Sequence, residues 1–162
     1  MSDFLLSQLL VGVVFCFDMA SFQFREKRHV MTCLVFSALL LGIHFALVGA
    51  QTAAVLGLIA AARFFVAIFS HARWLLYLFL SLVIANGVLS YAGLLTVLAT
   101  VGALITTIAA FMSTDRKFRE YMMIGTLVWI GHNALAGSPA AVVLETFFLG
   151  SNLVGYYRYY LR

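Results

Sequence analysis

Polar side chains set inside long apolar stretches are where this sequence holds its chemistry. Asp18, Arg63, Trp129, Glu145 and Asn152 form one such set, and His44, Asn86, His132 and Asn133 form another. A charge in hydrocarbon costs about 2.5–3.5 kcal/mol on insertion scales, so each such residue is expected either to pair with a neighbouring helix or to line the path of a solute, ion or proton. Histidine and glutamate together are able to relay protons, since imidazole titrates near ~6.5. Trp129 offers a flat face for a sugar-like solute, against the commoner role of an aromatic as packing, and Asn152 offers a hydrogen-bonding contact. At about 1.5 Å per residue, Asp18 stands roughly 21 Å from the start of its apolar run and Arg63 roughly 18 Å from Gln51. The similar depth predicts an Asp18–Arg63 ion pair, which either locks neighbouring helices in register or lines a central cavity. His44, His132, Glu145, Asn86 and Asn133 share a second level, roughly 8 to 9 Å from the opposite ends of their runs. The two histidines are expected to hydrogen-bond neighbouring helices.

The elements that position these residues follow from composition. Of 162 residues, 64% are hydrophobic and 10% charged, with a mean hydropathy of +1.06. A water-soluble core cannot hide that much apolar surface. A span needs about 20 apolar residues to cross roughly 30 Å of hydrocarbon. Apolar runs are expected near 4–22, 29–49, 51–70, 73–89, 91–112, 121–137 and 139–160. They break at Gly49-Ala50-Gln51, at 90–93, at Gly137-Ser138-Pro139, and at basic segments around Arg25–Arg28 and Asp115–Glu120. The first run lacks a basic leader and a small-residue cleavage site, so it is expected to be retained.

With seven alternating spans, nine of the ten Lys and Arg residues fall on one side, the tenth being Arg63. The Lys/Arg bias marks the cytoplasmic face, which puts the N-terminus outside and the C-terminus inside. Tyr156, Tyr157, Tyr159 and Tyr160, with Phe22 and Phe24, are expected to form an aromatic belt at that face. The basic clusters read as topology signals rather than as a nucleic-acid surface. Cys16 and Cys33 have no metal-ligand spacing and are expected to be reduced.

Sliding the sequence by 88 residues lays 44–56 on 132–144, with seven identities in thirteen pairs: His44/His132, Ala46/Ala134, Leu47/Leu135, Gly49/Gly137, Ala53/Ala141, Val55/Val143 and Leu56/Leu144. The same offset pairs Arg28 with Arg116 and Val66 with Val154. The expected fold is an all-α polytopic membrane protein of seven transmembrane helices. Two parallel three-helix repeats, 1–70 and 91–162, are joined by an inverting helix in 71–90, a three-plus-one-plus-three arrangement. Arg63 and Phe64 then pair with Ser151 and Asn152, and Glu145 with Gly57.

That arrangement resembles the SWEET and SemiSWEET sugar transporters, the PQ-loop proteins and the Pnu-type vitamin transporters. In sequence, Ser21-Phe22-Gln23-Phe24-Arg25, then 39–49 with Gly42 and His44, and Ala61-Ala62-Arg63, resemble the YgjV family of bacterial inner-membrane proteins. The resemblance implies an inner-membrane location and, at the level of fold, a substrate-facing third helix in each repeat. The chain departs from the PQ-loop pattern, since Gln23 follows Phe22 rather than a proline and the single proline is Pro139. Rocking about proline hinges is therefore not carried over, and flexing at glycines takes its place.

Two functions fit. One is a transporter or facilitator of a small polar solute, with Asp18, Arg63, Trp129, Glu145 and Asn152 at its site and the lipid bilayer as its surroundings. The other is a non-transporting receptor or assembly factor. An enzyme is not expected: there is no HExxH, no GxGD-like pair, no serine in a nucleophile context and no Cys-His couple at workable spacing. No cofactor, metal or nucleic acid is expected, and the protein acts as a monomer or homodimer.

Overall fold

The computed structural model describes residues 3–49 and 51–162; Ala50 of the first turn and of the repeat alignment lies outside the described residues, as do Met1 and Ser2 and the side chains at 3–5, 7, 8 and 52. Each apolar run becomes a helix: α1 Asp3–Ser21, α2 Lys27–Leu47, α3 Gln51–Phe69, α4 Arg73–Leu89, α5 Leu94–Ala110, α6 Asp115–Leu135 and α7 Pro139–Tyr156, followed by a π-helical turn over Tyr157–Leu161. Among the described residues there is no strand. Pro139 takes the first turn of α7, where its missing N–H costs nothing.

Glycines with left-handed backbone sit at the three short breaks: Gly49 (φ 80°), Gly93 (φ 98°) and Gly137 (φ 69°). Gly49 and Gly137 end α2 and α6 in the same way. Val48 N–H donates to the His44 carbonyl at 3.1 Å and Gly49 N–H to Ala46 at 3.2 Å; Ala136 and Gly137 repeat this on His132 and Ala134 at 2.8 and 3.1 Å. A left-handed residue just past the last turn satisfies these carbonyls without a Cβ penalty. Helix α6 starts at Asp115, six positions before the expected span at 121, because Thr114 caps it: its hydroxyl accepts from Lys117 N–H at 3.4 Å. The basic segment is thus helical rather than a loop.

Helix α2 packs extensively on both α1 and α3, and α6 packs likewise on α5 and α7. Helix α4 lies mainly against α5, and lighter contacts join α1 to α7 and α3 to α5. Glycines set the closest approach: a Cβ on Gly57 would stand 2.8 Å from Gly42 Cα, so α2 and α3 cross backbone to backbone. The core gathers at the end that carries the basic segments, from Phe22, Val30, Met31, Phe64, Phe118 and Met122. Phe22 is wholly buried, against Phe118 and Phe148, so the expected place for it in an interfacial belt is corrected; Phe24 is exposed. A phenylalanine at the end of α1 finds more apolar area between helices than at a headgroup surface.

The outer surface is apolar, with Leu9, Phe65, Trp74, Val88 and Phe147 exposed, whereas the fully buried side chains include Arg119, Asn152, Thr107 and Ser21. Phe22, Phe118, Met31, Val30 and Val83 are as fully covered as these polar groups, so it is the apolar outer surface that fits a hydrocarbon surround. Among the described residues, Lys27–Leu47, with a mean hydropathy of 2.2, is the helix long and apolar enough by itself to cross a membrane; Leu9–Ser21, Ala53–Phe69, Arg73–Leu89 and Leu94–Ala110 are apolar but shorter.

Gly155 marks where α7 meets the end of α1. A Cβ there would run into the Phe22 carbonyl oxygen and lie 2.6 Å from Arg119 Nη1. Gly155→Ala should therefore cost about 1–3 kcal/mol, seen as a lower Tm in detergent. Gly12→Ala, with nothing within 4 Å of the added carbon, is the control and should leave Tm close to wild type.

Candidate functional site

Arg63 is 6% exposed and reaches from α3 across to α5. Its Nη1 donates to the Thr107 hydroxyl at 2.7 Å and to the Ala103 carbonyl at 3.1 Å, and its Nη2 donates to the Thr106 hydroxyl at 2.9 Å. Its guanidinium lies 4.8 Å from the centre of the Phe64 ring, and its Nε–H is buried without a partner. The expected Asp18–Arg63 ion pair is not formed. The Asp18 carboxylate instead accepts from the Ser37 hydroxyl of α2 at 2.5 Å. Helix α2 packs against both α1 and α3, so it occupies the flank of Asp18 that the pairing with α3 required. The partners that Arg63 does use were within reach of the same depth arithmetic: Thr106 lies about 18 Å from Leu94, the depth of Arg63 from Gln51.

Beside Arg63 is a cavity of about 60 Å³, lined by Arg63, Thr106, Trp129, Ile59, Val83 and Ala103 among others. Trp129 is seated by Gly102, where a Cβ would come within 3.0 Å of the indole Nε1. Among the described residues, that N–H has no hydrogen-bond acceptor. Of the residues singled out in the sequence, Arg63 and Trp129 are thus brought together on one cavity.

The others go elsewhere. Asn152 is 1% exposed and is bound to Arg119, donating to its carbonyl at 3.0 Å and accepting from its Nη1 at 3.5 Å. Glu145, half-buried on α7, lies near enough to Asp18 of α1 for their charges to interact. His132 packs edge-on against Trp129 at 5.3 Å and its ring nitrogen is 3.1 Å from Asn133 Oδ1, so its contacts stay within α6 instead of reaching the neighbouring helix expected for it. His44 packs on Phe45, and Asn86 uses its backbone carbonyl to accept from Ser90. Cys16 and Cys33 are both free.

Two buried cations at the basic end were read in the sequence only as topology signals. Arg119 is 0% exposed: Nη1 donates to the Phe22 carbonyl at 3.1 Å, Nη2 donates to the Phe24 carbonyl, and the group lies over the Phe22 and Tyr159 rings. Lys27 is 7% exposed, with Nζ donating to the Met112 carbonyl at 2.5 Å and lying 2.9 Å from His71 Nε2. Its backbone N–H donates to the Asp115 carboxylate at 3.2 Å, so Asp115 caps α2 from the start of α6. Burial pushes the Lys27 amine down to about 8, against the opposing pull of Asp115. Burial, then the Lys27 charge, also lowers His71. The offset of 88 residues carried a signal for both, since it lays Arg119 on Met31, itself 1% exposed, and Lys27 on Asp115.

Compared with known proteins, residues 5–162 match the family described as "Bacterial inner membrane protein", Imp-YgjV. The chain belongs to that family. It is 25% identical over 161 residues to "Inner membrane protein YgjV" of Escherichia coli (strain K12), a match that covers 98% of this chain and 88% of that protein. No solved structure matches. Membership of Imp-YgjV makes this a bacterial inner-membrane protein, and all the residues placed above lie within the matched segment.

Two tests follow from these contacts. Arg63→Gln and Thr107→Val should couple in a double-mutant cycle by about 0.5–3 kcal/mol, whereas Arg63→Gln and Asp18→Asn should be additive. At the basic end, the unfolded chain holds more protons on Lys27 than the folded one between its folded value of about 8 and its ordinary 10.5. The Tm of wild type relative to Lys27→Met should therefore rise as pH is taken through that window, and should stay flat below it.

Proposed function

We propose that this protein is a multi-pass transporter or facilitator of a small polar solute in the bacterial inner membrane. Its seven helices span the bilayer with the N-terminus outside and the C-terminus in the cytoplasm, the orientation favoured by the Lys/Arg bias. It carries two parallel three-helix repeats, 1–70 and 91–162, joined by α4 in 71–90. The 88-residue offset interchanges the α3–α5 and α7–α1 contacts, which supports this reading. It also relates two bonds across them: Arg63 to the Thr107 hydroxyl, and Ser151 Oγ to the Met19 carbonyl at 2.9 Å.

The observation that carries the functional reading is the pairing of a buried guanidinium, one donor unpartnered, with a cavity at the seam between the two repeats. An intramembrane ion kept without full pairing is costly, and such residues mark solute or ion paths. The core seals the basic end, so the cavity communicates with the bilayer's other face when helices shift at the glycine-ended turns. No catalytic step, cofactor or nucleic acid enters this function, and a duplicated chain supplies both halves of a pore as a monomer; a homodimer is compatible with it.

A second reading, a non-transporting receptor or assembly factor, draws on Asn152–Arg119 and Asp18–Ser37, which tie helices together rather than line a cavity. A thermal-shift screen of the purified protein with sugars, nucleosides, vitamins, amino acids and small anions, followed by uptake into proteoliposomes, separates the two. Transport predicts a ligand that raises Tm and a flux that Arg63→Gln lowers by about tenfold or more, the scale of a lost charge-assisted hydrogen bond. Absence of any shift or flux across these classes, with the protein folded, favours the receptor.

A further inference from the structure

We infer that the cavity beside Arg63 is a binding site for a small monovalent anion of the size of chloride, nitrate or iodide. As the solute class of the transporter proposed above, this rests on that reading; as a binding site, it stands on its own geometry.

The first ground is charge. All three hydrogen bonds of Arg63 go to neutral oxygens, those of Ala103, Thr106 and Thr107. Among the described residues no carboxylate lies within ion-pair distance of it, and Asp18, its expected counterion, is held by Ser37. Neutral dipoles orient toward a guanidinium without cancelling its charge, and in a low-dielectric surrounding the remaining field attracts a mobile counterion.

The second ground is the kind of polar group left over. Arg63 Nε–H and Trp129 Nε1–H lack acceptors, and both are donors. The one hydroxyl oxygen on the wall, that of Thr106, already accepts from Arg63 and donates to Ala103 at 3.2 Å. A cation would meet nothing to bind it there, whereas an anion meets the guanidinium charge and the Trp129 side chain on the wall, Arg63 Nε itself being covered.

Size and polarity narrow the class. About 60 Å³ is several times the roughly 10–15 Å³ that one water needs and far below the roughly 300–1,000 Å³ of ordinary ligand pockets, which suits a small ion rather than a sugar or nucleoside in this arrangement of helices. Leu56, Ile59, Ala60 and Val83 give the wall an apolar character that cannot replace the hydration shell of a multiply charged ion. One fixed positive charge calls for a monovalent, weakly hydrated partner.

Trp129 supplies the readout. The chain has two tryptophans, Trp74 and Trp129, so Trp74→Phe leaves the cavity residue as the single emitter. Iodide at constant ionic strength, with gluconate as the balancing anion, should quench the purified protein saturably, and chloride or nitrate should reverse the quenching. Arg63→Gln should weaken the apparent affinity by about tenfold or more. Ala60→Leu, which fills the cavity while keeping the guanidinium, should abolish saturation and guards against an Arg63 variant that does not fold. Quenching that is linear in iodide, or saturation unchanged in Ala60→Leu, overturns the site. Saturable binding without iodide or nitrate flux into proteoliposomes supports the site and removes this anion class from the transport reading. Flux of another solute with linear quenching overturns the site and leaves transport standing.

Discussion

A guanidinium withdrawn from water keeps five N–H donors, and each must meet an oxygen or leave its desolvation unrecovered. Two such groups determine how the helices of this protein meet. Arg119 collects the carbonyls of Phe22 and Phe24, which the end of α1 leaves without helical partners, and so ties the α1–α2 turn to α6. Asn152 completes the arrangement by bridging from α7, and Gly155 is bare so that the backbones come near enough. Arg63 does the corresponding work between α3 and α5; both arginines leave Nε–H without an acceptor, and Arg63 differs in bordering a void. One arginine is buried in a packed end, and the other is buried beside open space.

The two surroundings differ in how closely they are filled. The packed end contains Lys27, Arg119, Phe22 and Phe118, set among apolar and carbonyl neighbours, with Arg119 Nε–H left without an acceptor. What sets Arg63 apart is the open space beside it and the Trp129 side chain across that space. Burying an unpaired ion costs stability that a methionine or leucine would have kept, and among the described residues neither Arg63 nor Arg119 has a carboxylate partner.

Much of the helix layout was legible in the sequence, because crossing hydrocarbon needs uninterrupted apolar runs and ending a helix in a tight turn needs a residue free to adopt positive φ. Gly49 and Gly137, aligned by the 88-residue offset, end α2 and α6 with matching hydrogen bonds. Side-chain partners were less legible. Counting residues from a helix end gives height in the bundle and says nothing of direction around the helix axis, which is why Arg63 was matched to Asp18 when Thr106 and Thr107 stood at the same height on another helix. Arg119 was hidden for a different reason: a run of charges normally belongs to water, and here one turn of it belongs to the core. Its alignment with buried Met31 was the available clue. Trp129 and Arg63 meeting at one cavity was not readable from spacing at all, since it depends on the lateral order of α3, α5 and α6.

The Gly42–Gly57 crossing has a mechanical consequence. The 88-residue offset lays these glycines on Ile130 and Glu145. A crossing made of bare backbones leaves little slack, so α2 and α3 act as a strut. The corresponding positions on α6 and α7 hold a branched side chain and a carboxylate, which rule out the same bare-backbone contact there. The two helix pairs are then unlike in how closely their backbones meet, and the pair that includes the Trp129 helix is the one without the glycine crossing.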